Sequence, residues 1–310
     1  MDTILTIILP VFGLVALGFA VGRPPLFPAD VSKTLGNFIY YLALPALLFR
    51  SMAARGLPHA DEMALLAAYY SALALVTLAT FLYARFHYRE QAAGAASLTL
   101  GGNFSNMVLV GVPLTLSAYG QAGLQQMLLI ATFHAAFLVG ITTVVAEAGR
   151  AGGGGPWRVA GNTLLALMKN PVIIANMSGL AFGSLGGRLP LPLDQALAML
   201  GSAAVPCSLF ALGASLVGVA VTDLVGRTLF MVTVKLLILP AMIFVSGRYL
   251  FDLPDLQLAI AVTTASLPAG LNAFLFAQRY DAHANRVASA TLLTTVCSAI
   301  TTGLIIDYFR

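Results

Sequence analysis

Two short stretches of this chain place side-chain amides beside helix-breaking residues. The first runs Asn103-Phe104-Ser105-Asn106, followed by Gly111 and Pro113; the second runs Ser266-Leu267-Pro268-Ala269-Gly270-Leu271-Asn272. Proline removes a helical hydrogen bond and clashes with the preceding turn, and glycine tolerates the turn that results. An Asn amide brings both donors and an acceptor. These residue types bind; no span shows a nucleophile–base pair or a metal cluster. Asn103, Asn106, Gly111, Gly270 and Asn272 are therefore the candidate binding constellation, with Pro113 and Pro268 holding the breaks. Lys235 lies deep in another apolar stretch, where a lysine costs roughly 2.5–3.5 kcal/mol. No Asp or Glu lies at similar depth. Lys235 either braces the breaks through half-helix C-terminal carbonyls, or draws a substrate anion, or snorkels to the interface. His134 is either a proton carrier or simply hydrogen-bonded.

The elements that carry these residues are long and apolar. Of the 310 residues, 59% are hydrophobic and 9% charged, against roughly 25% charged in ordinary soluble domains. Mean hydropathy is +0.90. A soluble fold is excluded, and no catalytic domain fits beside the spans. The net charge of +4 comes from basic residues scattered in short loops, whereas nucleic-acid binders cluster them. Cys207 and Cys297 read as buried small hydrophobes, and no span shows a metal cluster or a cofactor motif. The Met1-Asp2-Thr3 start lacks the basic region of a cleaved signal peptide.

A spanning helix needs about 20 residues, and charged or Gly/Pro clusters divide the chain into ten spans. They cover about 3–22, 35–54, 62–85, 91–119, 122–147, 170–186, 195–220, 225–249, 255–279 and 284–306. Gly152 to Gly155 form a linker, and Trp157–Met168 suits the membrane interface, where Trp is favoured. The halves overlay at a constant offset of 161 residues: Pro10 on Pro171, Gly18 on Gly179, Gly22 on Gly183, Pro45 on Pro206, Phe49 on Phe210 and Tyr119 on Tyr280. Windows 106–113 and 267–274 superpose under the same offset. Residues 1–149 thus form a first five-span repeat, 150–169 a linker with its interfacial segment, and 170–310 a second repeat. Five is odd, so the second repeat enters the membrane inverted, as in secondary transporters. Loops after the odd-numbered spans carry ten Lys and Arg, the opposite side five. The positive-inside rule then puts both termini outside.

Two broken helices at matching places would set half-helix ends near mid-membrane, where N-termini favour anions and freed carbonyls favour cations. Without an intramembrane carboxylate, cation antiport is disfavoured and a neutral or anionic substrate favoured. Arg50 either snorkels or meets an anion at the outer mouth, and Asn37, Tyr40 and Tyr41 are weaker candidates for polar lining.

Asn103-x-x-Asn106-x-x-x-x-Gly111-x-Pro113-Leu114 and Leu267-Pro268-Ala-Gly270-x-Asn272-x-Phe274-x-Phe276-Ala277 resemble the auxin efflux carrier family, above all its bacterial, malonate-transporter-like members. Tyr41-Leu-Ala-Leu-Pro45-Ala-Leu-Leu-Phe49 and Asn170-Pro171 fit as well. The resemblance implies the fold of bile-acid sodium symporters: an all-α membrane protein of ten transmembrane helices, with crossing broken helices 4 and 9. Helices 1, 2, 6 and 7 would form a scaffold, and 3–5 with 8–10 a core that moves like an elevator, substrate lying between them at the crossover. It also implies that Asn106 and Asn272 contact a substrate carboxylate, and that the protein pairs as a homodimer. The long cytoplasmic loop of the plant carriers is absent here. The expectation is a carrier of a small organic anion, such as malonate or an auxin-like acid, in the bacterial inner membrane, with both termini periplasmic, no cofactor and no strict sodium dependence. The alternative is a sodium-coupled organic anion symporter of the same fold, its ion held by Thr99, Ser105 and Thr264. A ligand-binding receptor is a further alternative, and a membrane enzyme the weakest.

Overall fold

A computed structural model describes residues 4–22, 29–54, 60–149, 161, 165, 168–217 and 226–310. The Gly152–Gly155 linker lies outside these residues, as does most of the expected interfacial segment Trp157–Met168. Every described element is helical, apart from one isolated β-bridge. In chain order they are α1 (Leu9–Val21), α2 (Ala29–Phe38), α3 (Leu44–Ala53), α4 (Ala60–Phe86), α5 (Ala92–Asn103), α6 (Val112–Ala148), α7 (Pro171–Ser184), α8 (Leu191–Ser215), α9 (Arg227–Thr233), α10 (Leu239–Val245), α11 (Asp255–Ser266), α12 (Leu271–Arg279) and α13 (Ala284–Tyr308). π-helical turns lead into α1 and α6, join α2 to α3 and α9 to α10, and follow α10.

Among the described residues, five helical stretches are long and apolar enough to cross a membrane: Glu62–Phe86, Met107–Ala148, Leu191–Ser215, Arg227–Leu250 and Ala284–Tyr308. Thr6–Val21 and Pro171–Ser184 are shorter apolar helices. The 42-residue stretch Met107–Ala148 turns at Gly120, whose φ of 66° is open to glycine and costly for other residues. That turn falls between the fourth and fifth expected spans.

The side-chain pattern inverts that of a soluble protein. Along α13 the apolar Val296, Ile300, Leu304 and Tyr308 are exposed at four-residue spacing, while Thr291, Thr294, Thr295, Ser298 and Thr302 are buried. On α4, Leu75, Leu78 and Leu82 point outward. Helices that face lipid outward and hide hydroxyls inward need internal acceptors, and the buried Thr and Ser find them on carbonyls three or four residues back. Cys207 and Cys297 are free and half-buried rather than fully buried.

Two compact units emerge from the packing, each assembled from both halves of the sequence. The first holds residues 1–60, 108–132 and 168–218. Here α1 packs on α8 and α3 on α7. Both contacts turn on a missing side chain: a Cβ on Gly18 would sit 2.1 Å from the Phe210 carbonyl oxygen, and one on Gly179 2.5 Å from that of Phe49. Small residues let helix backbones approach this closely in membranes. The two contacts are reciprocal under the 161-residue offset. Pro10 and Pro171 likewise both open their helices, the second with Asn170 accepting from Val172 N–H at 2.9 Å. Within this unit Arg50 makes a bidentate pair with Asp194, at 2.7 and 3.0 Å. The guanidinium expected to snorkel or to meet an anion therefore already holds a carboxylate. Gln121 donates to the Ser51 hydroxyl at 3.0 Å.

The second unit holds residues 61–107, 133–167 and 219–310. At one end, in the loop after α4, Glu90 receives Arg227 Nε at 2.6 Å and His283 Nε2 at 2.9 Å. Arg286 lies 2.8 Å from His283 Nδ1. Burial would raise the Glu90 carboxyl, but the hydrogen bonds from His283 and Arg227 outweigh it and hold the group below its ordinary range.

Two outcomes follow for purified protein. Gly18→Leu and Gly179→Leu should each lower stability by about 1–3 kcal/mol through overpacking, read as a fall in unfolding temperature; unchanged melting would show that these contacts do not hold the first unit. Glu90→Gln should cost about 1.5–3 kcal/mol at neutral pH, the worth of hydrogen bonds to a charged group. Because the folded-state value is depressed, this contribution is present above the ordinary carboxylate range and lost as pH falls through the folded value. The gap between Glu90→Gln and the parent should therefore narrow in acid, and a gap independent of pH would contradict the ion pair.

Candidate functional site

The second unit contains both helix breaks, and each has a local cause. Helix α11 stops at Ser266 because Pro268 forces the residue before it out of the helical region: Leu267 is extended, with φ −56° and ψ 151°. Helix α5 stops at Asn103, after Gly101-Gly102, two weak helix formers, and Phe104 is extended at φ −77° and ψ 114°. The helix resumes at Met107 on one side of the pair and at Leu271 on the other.

The two breaks pair with each other. Asn106 N–H donates to the Pro268 carbonyl at 2.8 Å, and Gly270 N–H to the Phe104 carbonyl at 3.0 Å. Together they form a single antiparallel bridge between Ser105 and Ala269. A Cβ on Gly270 would lie 2.7 Å from the Phe104 ring and 3.5 Å from Asn106 Cα, so glycine is what lets the strands close. The outward N–H groups are also met. Ser105 N–H donates to His134 Nε2 at 3.0 Å, and Ala269 N–H to Thr294 Oγ1 at 3.0 Å. On the end of α11, the Ser266 carbonyl accepts from Thr302 Oγ1 at 2.9 Å and the Thr263 carbonyl from Ser266 Oγ at 2.8 Å. The Ala265 carbonyl accepts from Lys235 Nζ, which also donates to Ser105 Oγ at 2.7 Å. Each unpaired amide in hydrocarbon costs several kcal/mol, and this set of partners meets that cost.

Lys235 thus faces the C-terminal carbonyls of a half-helix, the bracing arrangement; it is wholly buried and does not snorkel. His134 accepts through Nε2, so its proton sits on Nδ1, and it serves as a buried hydrogen-bond partner.

The amides are placed differently from one another. Asn103 is buried and spends its donors on Thr80 Oγ1 at 3.3 Å and the Thr99 carbonyl at 2.8 Å. Asn106 is buried at the bridge, and Asn272 is exposed in the first turn of α12. The N-cap of that turn is Gly270, which brings no side-chain cap, and Ala273 N–H turns back to the Gly270 carbonyl at 3.1 Å. Gly111 closes the π-helical turn Met107–Gly111 and is buried. Pro113 lies one step into α6, beyond its break, whereas Pro268 lies inside its own. Windows 106–113 and 267–274 are therefore not equivalent in detail: the bridge pairs Ser105 with Ala269, a separation of 164 rather than 161 residues. A constant offset has no room for a local length difference between the two breaks. Of the proposed sodium ligands, Thr99 bonds its own helix at the Ala95 carbonyl, at 2.8 Å, and Ser105 holds Lys235.

Sequence reasoning passed over Thr294 and Thr302. Their signal was the hydroxyl periodicity of α13, where Thr291, Thr294, Thr295, Ser298 and Thr302 share one face.

The description "membrane transport protein" fits the chain over residues 3–153 and 155–306. Over 308 residues the chain is 29% identical to a "Putative malonate transporter" of Rhizobium meliloti (strain 1021), covering 98% of this chain and 96% of that one. It is 25% identical to the mouse "Lysosomal cholesterol signaling protein" over 94% of this chain, which spans only 36% of that longer protein. An "Uncharacterized transporter" of Methanothermobacter thermautotrophicus is 23% identical over 96% of this chain and 95% of its own length. Helices that face apolar side chains outward and a match along nearly the whole chain lead to one assignment: the protein belongs to the membrane transport protein family, that of the auxin efflux carriers, and is a multi-pass membrane transporter, not an enzyme.

Proposed function

We propose that the protein is a secondary transporter for a small organic anion, a carboxylate such as malonate or an auxin-like acid. The observation that carries this reading is the uncapped first turn of α12, with the exposed Asn272 amide in it. It opens at a crossover whose buried charge is the ammonium of Lys235. Helix N-termini and amide donors favour a carboxylate there. The name of the Rhizobium relative points to the same chemistry. Asn106 and Asn272 bind the carboxylate, Gly270 permits the close backbone approach, and Asn103 positions the break from behind. Gly111 and Pro113 shape the start of the following half-helix.

In this reading the chain makes ten spans as two inverted repeats, 1–149 and 170–310, joined by 150–169. The reciprocal contacts of Gly18 with Phe210 and Gly179 with Phe49 support the repeat. The second compact unit, which carries the crossover, is the moving body of an elevator-type cycle. The protein works as a homodimer in a bacterial inner membrane with both termini periplasmic, and transport does not require sodium. Occupation of Ser105 by Lys235 counts against the sodium-coupled alternative.

The test is current on a solid-supported membrane from proteoliposomes, with malonate, other small dicarboxylates and indole-3-acetate as substrates. One of these carboxylates should give a saturable current that is the same with and without sodium. Asn272→Ala and Asn106→Ala should each raise the half-saturating concentration by about 10–100-fold, the worth of a hydrogen bond to a charged group. Folded variants that transport like the parent would remove these residues from the site.

A further inference from the structure

In carriers with discontinuous helices, half-helix C-terminal ends and unwound backbone carbonyls coordinate a free cation. This crossover offers such oxygens: the Ala265 carbonyl in the last turn of α11 and the Ser105 hydroxyl in the facing break. Both are held by Lys235 Nζ. The ammonium is fully buried, in the π-helical turn Val234–Ile238, and pairs with no carboxylate among the described residues. An ammonium is a compact single positive charge with donors only. Its demand for oxygen partners is that of a small monovalent cation. One residue before Ala265, the Thr264 hydroxyl is buried without a hydrogen-bond partner, a further oxygen at the end of the same half-helix.

We propose that Lys235 is a tethered resident cation standing where a coupling sodium ion would sit, and that removing its ammonium uncovers a latent site for a small monovalent cation at Ser105 and Ala265. The tether keeps the cation with the protein, so no ion need be taken from either side of the membrane. The consequence for transport rests on the carrier reading above; the cation site itself stands on the geometry alone.

The experiment is thermal unfolding of the purified full chain in choline, sodium, lithium or methylammonium chloride at constant ionic strength. The parent should unfold at the same temperature in all four. Lys235→Ala should unfold earlier in choline and recover by a saturable few degrees in sodium or methylammonium. Ser105→Ala added to Lys235→Ala should abolish that recovery. A parent stabilised by sodium over choline, or a folded Lys235→Ala indifferent to every cation, overturns the proposal. If Lys235→Ala does not fold in choline, Lys235→Gln keeps a neutral donor toward Ser105 and should show the same recovery, its indifference being equally fatal. If neither folds in choline, purification in methylammonium or sodium should yield monodisperse protein, and failure there also counts against the site. No carboxylate enters this measurement. Cation-dependent unfolding without carboxylate flux would therefore remove the carrier reading and leave the cation site standing.

Discussion

A backbone that leaves the helix inside an apolar surround must still pair every N–H and C=O, because no water is there to do it. The second compact unit is organised around that requirement. Its two breaks meet through one antiparallel bridge, so each supplies partners the other lacks. What the bridge leaves over is taken by side chains brought from elsewhere in the unit: His134 for Ser105, Thr294 for Ala269, Thr302 for Ser266 and Lys235 for Ala265. Proline at 268 fits the same logic, since it has no N–H to satisfy while its carbonyl accepts from Asn106. Two hydroxyls of the α13 face, Thr294 and Thr302, serve this junction.

Such a junction is polar and holds the buried amine of Lys235. The Asn103 amide is buried and spent on its own break, whereas Asn272 is exposed in the first turn of α12. A division of labour results. Lys235, His134 and Asn103 hold the shape from the buried side, and the N-terminus of α12 presents donors. The first unit meets a different need, close packing of helices in lipid, and meets it with glycine against backbone at Gly18 and Gly179.

The breaks were legible in the sequence because proline and glycine act locally. Pro268 dictates the end of α11 whatever surrounds it. The depth of Lys235 and its lack of a carboxylate were also legible, but they left bracing, an anion partner and snorkelling equally open. The exact junction was not. Ser105 opposing Ala269 depends on how two segments over 160 positions apart come together, and a fixed offset placed it three residues away. Arg50 shows the same limit: its pairing with Asp194 joins residues 144 apart, so the sequence offered only a lone cation near a span end. The threonines of α13 looked like ordinary span residues, since a hydroxyl that bonds its own helix and one that caps another are written alike.

The central claim is that the junction of the two broken helices is where a carboxylate binds. Hydrogen–deuterium exchange of the purified protein, with and without saturating malonate or another carboxylate it transports, tests this most directly. The account predicts slowed exchange at Leu271 to Ala273, the opening turn of α12, while the Gly18 and Gly179 contacts stay unchanged. Protection confined to peptides away from residues 103–113 and 266–274 would contradict it and move the binding site elsewhere in the chain.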